Sequence, residues 1–233
     1  MEFIIFGPLH QLVFLTLIIG LILVFIFRSN KYTRYILASV LIAQIIAFNV
    51  KHISSGTYSI QNYLPLHLCT LSAIIAPIAL LTKNKIFNIL LLFWGLIPAL
   101  LAIVLPDMNR LENYTTFRFW EFFVSHVFIV LSTIYIAIHS NHNFALKKFE
   151  TWKQVIISYF TLCLYAISIV IPINYLLGSN YLYLAGKASN GMGFLPDGAL
   201  YLPAMFGMAL LVFIIEAVIY SLILRFKKYN NKS

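Results

Sequence analysis

Seven runs of roughly twenty apolar residues, the length that crosses a bilayer core, recur along this chain at 9–27, 35–53, 64–81, 86–105, 117–138, 153–173 and 200–224. None alternates polar with apolar residues as a lipid-facing barrel strand does. In hydrocarbon every backbone N–H and C=O must be satisfied within its own segment or around a closed barrel. The expected fold is therefore all-α: a polytopic bundle of seven transmembrane helices, forming one integral membrane domain over residues 1–233. With 61% hydrophobic and only 10% charged residues, the chain has too little charge to cover a soluble domain of this length.

The net charge of +9 does not point to nucleic acid, because the basic residues lie in short pieces between the apolar runs. They report orientation instead. With seven crossings, Arg28, Lys31, Arg34, Lys83, Lys85, Lys147, Lys148, Lys153, Arg225, Lys227, Lys228 and Lys232 fall on one side, and Lys51, Arg110, Arg118 and Lys187 on the other. That asymmetry predicts a multi-pass cell-membrane protein with its N-terminus outside and its C-terminus in the cytoplasm. Met1 to His10 carries no Lys or Arg, and the apolar run reaching Phe27 is too long for a signal-peptide core, so a retained first helix is expected. Asn113-Tyr-Thr matches a glycosylation acceptor by chance more readily than by function.

Polar side chains inside apolar helices are expensive, and each is a candidate for function or for interhelical hydrogen bonding. The two cysteines, Cys69 and Cys163, sit inside apolar runs without zinc-ligand spacing, so neither a disulfide framework nor a metal or other cofactor is expected. Cys69 ends the stretch LPLHLC. A cysteine becomes a nucleophile when a base takes its proton. Two residues apart on a regular helix, His67 and Cys69 face different directions, so His67 reads as a contact with the outer loops or with substrate. With the third helix starting near Leu64 and the fifth near Phe117, Cys69 and His126 lie roughly 7 and 13 Å along their axes, close enough in depth to share a layer. Pro65, Ser72, Ala73 and Ala76 share the Cys69 face, and Phe119, Phe122, Ile129 and Thr133 the His126 face; ordinary helix packing explains these residues equally well.

Other polar residues point to that outer layer. Gln44, Asn49 and His52 rise along the second helix, Asp107 and Asn109 follow the fourth, and Asn174 ends the sixth. Arg118 and Glu121 read as a local ion pair or as a holder of a substrate head group. Glu216 lies deeper, structural or on a separate pathway, and Cys163 reads as packing.

LPLHLC with its proline-containing helix, then FWGLIPALLAIVLPD, FRFWEFFVSH and NYLLGSNYLYL, in that order and spacing, resemble the bacterial YwaF family of integral membrane proteins, related to the animal transmembrane protein 164 family. The resemblance covers most of the chain from the second helix onward. It implies a bacterial plasma-membrane location and a phospholipid acyltransferase with Cys69 and His126 as the catalytic pair. Cys69 would take an acyl group from a lipid ester as a thioester, and His126 would activate first the thiol and then the acceptor. His67, Gln44, Asn174 and Arg118 are the candidate substrate contacts, and membrane phospholipid or another acyl lipid the partner. A lipid-ester hydrolase with the same pair, and a non-enzymatic protein binding or transporting a lipid or small solute, are the alternatives. The oxyanion donors expected are N–H groups at the start of the third helix or the Asn174 side chain.

Overall fold

The protein is described from a computed structural model covering residues 3–107, 114–139, 148–187 and 192–230, the side chains of 148–151 and 222–230 excepted. Asn109, Arg110, Asn113, Lys147 and Lys232 lie outside the described residues. All regular elements within them are helical: α1 (Pro8–Ile26), α2 (Lys31–Ser54), α3 (Leu68–Thr82), α4 (Lys85–Val104), α5 (Phe117–His139), α6 (Lys148–Tyr165), α7 (Ile171–Leu177) and α8 (Tyr201–Asn230). A π-helical turn, Ala166–Val170, joins α6 to α7 into one span. It precedes Pro172, which has no N–H to give to the Ser168 carbonyl and whose ring crowds it, so the helix widens there. Six stretches are long and apolar enough to cross a membrane, and α3 is a shorter apolar seventh.

Local chemistry explains the tight turns. Asn30 caps α2 by accepting the Tyr32 N–H at 2.9 Å, and Asn84 caps α4 by accepting the Ile86 N–H at 2.8 Å. Lys83, left-handed at φ 56°, ends α3 and folds the chain directly back into α4. α1 to α5 form a close-packed unit in which α3 touches α2, α4 and α5. Gly95 lets α4 approach α5: a Cβ there would meet Ile129 and Thr133 at 3.2 and 3.3 Å. α6 and α8 pack on each other and reach the first unit chiefly through α4. His10 fastens the N-terminal end, with Nε2 donating to the Ile103 carbonyl at 2.6 Å and Nδ1 accepting the Phe6 N–H at 2.9 Å.

The third helix departs from expectation. It starts at Leu68 rather than Leu64, leaving about 22 Å of helix against a hydrocarbon core of about 30 Å. Residues 64–67 form a non-helical lead-in, with His67 extended at φ −75°, ψ 146°. Leucine before Pro65 is biased away from helix, and the freed backbone groups find side-chain partners. Leu64 N–H donates to Tyr181 Oη at 2.9 Å, and Tyr165 Oη–H donates to the Leu66 carbonyl at 3.0 Å. Tyr181, fully buried, also donates its hydroxyl to Ile60 O at 2.6 Å.

Removing that hydroxyl strands Leu64 N–H and Ile60 C=O. Tyr181→Phe is expected to cost about 1–3 kcal/mol, read as a lowered thermal midpoint in detergent, whereas Tyr175→Phe, at a residue 88% exposed, leaves the midpoint unchanged.

Candidate functional site

Between the five-helix unit and α8 the structure holds a cavity of about 590 Å³. Its polar end is built by α2 (Gln44, Asn49), the lead-in (His67), the first turn of α3 (Cys69, Thr70) and α5 (Arg118, Glu121, Ser125, His126). Its apolar end is built by α3 (Ala73, Ile74), α4 (Pro98, Leu101, Ala102) and α8 (Met205, Met208, Ala209, Val212, Phe213). Leu182 and Tyr183 lie over the polar end.

The late start of α3 changes the setting of Cys69. His67 is the N-cap residue and makes no side-chain cap bond, so Cys69 sits in the first turn. The first hydrogen bond of this helix runs from Leu71 N–H to His67 O at 2.9 Å. The N–H groups of Leu68, Cys69 and Thr70 therefore precede any intrahelical acceptor and form a donor cluster beside a half-buried thiol.

His126 is buried on α5 and its tautomer is dictated by its partner. Nδ1 lies 2.6 Å from the Phe122 carbonyl; a carbonyl oxygen only accepts, so Nδ1 carries the proton and Nε2 the lone pair. The ring also sits 4.1 Å, centroid to centroid, from Phe122. A backbone carbonyl thus orients this histidine, a role for which the sequence shows no acid.

Arg118 and Glu121 form the expected ion pair one turn apart, and Gln44 Nε2 donates to the other carboxylate oxygen, tying α2 to α5. Gln44 Oε1, buried at the cavity wall, is left without a hydrogen-bond partner among the described residues. His67 faces the segment after α7: it accepts the Leu182 N–H at Nδ1, 3.3 Å, and its ring packs against Tyr181 and Tyr183.

Asn174 is elsewhere. Its side chain folds the turn after α7, donating to Tyr181 O at 2.9 Å and accepting from Tyr181 N–H at 2.8 Å and Ser179 Oγ at 2.9 Å. Its amide is committed to that turn, and it is not among the cavity-lining residues, which leaves the α3 N-terminus as the donor cluster beside Cys69. Glu216 accepts the Ile97 N–H at 2.9 Å, one residue before Pro98, and so links α8 to α4. Cys163 does not line the cavity. No group of three His, Cys, Asp or Glu able to hold a metal occurs among the described residues.

Several lining residues carried no sequence signal. Met205, Met208, Val212 and Phe213 read like any lipid-facing run until the fold turns them inward. Asp107, one of the polar residues expected in that layer, lines the cavity and accepts from Tyr183 Oη at 3.1 Å.

No curated protein and no solved structure matches the chain. The family model described as TMEM164 family matches residues 5–220, a span that includes every residue lining the cavity, and this multi-pass membrane protein belongs to that family.

Proposed function

We propose that the protein is a membrane-embedded lipid acyltransferase in which Cys69 and His126 act as nucleophile and base. The observation that carries this reading is that the thiol and a histidine with its Nδ1–H held by the Phe122 carbonyl line one cavity, polar at their end and apolar beyond. A phospholipid has that same division. The asymmetry of basic residues supports an opening toward the outer leaflet, and the resemblance to the bacterial YwaF family supports a bacterial plasma membrane.

In this mechanism His126 Nε2 takes the Cys69 thiol proton, and the sulfur attacks the ester carbonyl carbon of the lipid. The N–H groups opening α3 receive the oxyanion. As the C–O bond breaks, the His126 imidazolium returns the proton to the leaving lysolipid oxygen, and a thioester remains on Cys69. An acceptor hydroxyl then gives its proton to Nε2 and attacks the thioester, and the thiol is regenerated with that proton. A lipid hydroxyl as acceptor gives transfer; water gives hydrolysis. Arg118 is suited to a lipid phosphate, and the unpaired Gln44 Oε1 to a donor on the head group.

Purified protein in phospholipid vesicles with a fluorescent acyl donor is expected to form a hydroxylamine-labile acyl adduct on Cys69. Cys69→Ala abolishes it, and His126→Ala slows it by about 10²–10⁴. Acyl transfer undiminished in Cys69→Ala defeats the mechanism; tight lipid retention with no adduct in the wild type supports a non-enzymatic lipid carrier instead.

Arg118 holds its ion pair whether or not it meets substrate, and a double variant separates the roles. Arg118→Ala alone leaves the Glu121 carboxylate unpaired and is expected to cost about 3–5 kcal/mol. Arg118→Ala with Glu121→Gln recovers most of the thermal midpoint. If Arg118 binds the head group, the folded double variant still shows a raised KM for phospholipid; an unchanged KM makes the pair purely structural.

A further inference from the structure

The apolar end of the cavity can be followed along four helices. Three hydrogen bonds bring α8, α4 and α6 to the level of the polar end. Tyr201, opening α8, donates its hydroxyl to Tyr183 O at 2.5 Å; Asp107, just past α4, accepts from Tyr183 Oη; Tyr165, ending α6, reaches Leu66 O in the lead-in to Cys69. From those common points the lining residues descend together: Met205, Met208, Ala209, Val212 and Phe213 along α8, Leu105, Leu101 and Pro98 along α4, Leu162 on α6, and Ala73 and Ile74 on α3. Met205 to Phe213 spans about 12 Å of helix.

Small residues keep this passage wide. Ala73, Ala102 and Ala209 line it from three different helices. Phe213 ends it: the side chain is 1% exposed and its ring is held against Phe93 at 5.5 Å and Tyr159 at 6.4 Å between centroids. One turn below, Glu216 accepts the Ile97 N–H and draws α8 onto α4. Phe213 is thus the last α8 residue of the lining, its ring packed against two others where α8 is drawn onto α4.

We infer that this passage is an acyl-chain channel leading from Cys69, and that Phe213 is the floor that sets the length of chain the site accepts. The inference rests on the proposed acyl chemistry for its substrate, but the channel is testable without turnover. One acyl chain is the occupant that fits: the lining residues deeper than His126 are apolar, and the same cavity is lined by the thiol that would carry the acyl group.

The test measures alkylation of Cys69 by a series of N-n-alkylmaleimides of increasing chain length, in a Cys163→Ser background, followed by mass spectrometry. The wild type is expected to show an optimum length, with longer chains reacting progressively more slowly. Phe213→Ala, or Phe213→Leu where alanine does not fold, moves the optimum to longer chains, with rates just beyond the wild-type optimum rising about tenfold. Ala209→Phe, which fills the passage above the floor, moves it to shorter ones. A length profile identical in all the variants overturns the inference. Acyl transfer is then measured on the same proteins with donors of matching lengths. A shifted alkylation profile without any transfer upholds the channel while removing the enzyme; transfer present with an unshifted profile removes the channel while leaving the enzyme.

Discussion

A polypeptide in hydrocarbon has no water to satisfy backbone groups that leave a helix, and the arrangement of this protein follows from how four such residues are accommodated. The lead-in at 64–67 stays non-helical because Tyr181 and Tyr165 supply the hydrogen bonds a helix would otherwise make. Both tyrosines come from the second helical group, one from α6 and one from the turn after α7. The same bonds fix where α3 begins and hence place Cys69 in its first turn. A fully helical 64–82 would put the thiol in the second turn, with the N–H groups of residues 68 to 70 engaged by the carbonyls of residues 64 to 66.

The histidine follows a parallel logic. A lone histidine in a membrane helix needs a partner for one ring nitrogen, and with no carboxylate at hand the carbonyl one turn earlier serves. That leaves the lone pair on the second nitrogen, on a ring that lines the cavity. The Arg118 and Glu121 charges are resolved differently, by an internal ion pair braced by an amide from α2.

The all-helical membrane bundle was legible because hydropathy is a long-range average that boundary errors scarcely disturb. The Arg118–Glu121 pair was legible because three residues along a helix is a contact distance. The start of α3 was not: Pro65 is equally compatible with the first turn of a helix, and what decides against it are tyrosines about a hundred residues away in the chain. The commitment of Asn174 to the turn after α7 was hidden for a related reason: Gly178 marks the end of that helix, but the Ser179 and Tyr181 groups that engage the amide are set by how the following residues fold back, with Leu182 and Tyr183 left-handed without being glycine. The apolar wall on α8 had no signature, because facing lipid and facing a lipid-shaped cavity select the same side chains.

The division of contacts has a consequence for how the molecule is made. Cys69 and His126 both belong to α1–α5, which are mutually packed, while the wall carrying Phe213 and the tyrosines bracing the lead-in arrive with α6–α8. Synthesis from the N-terminus therefore delivers both side chains to the bilayer before their enclosure exists. During that interval the backbone ahead of Cys69 lacks its tyrosine partners, so the thiol acquires its final setting only when the last helices dock. Completion of the cavity is in this sense the closing event of assembly, and a chain ending after α5 would hold Cys69 and His126 without the chamber that encloses them.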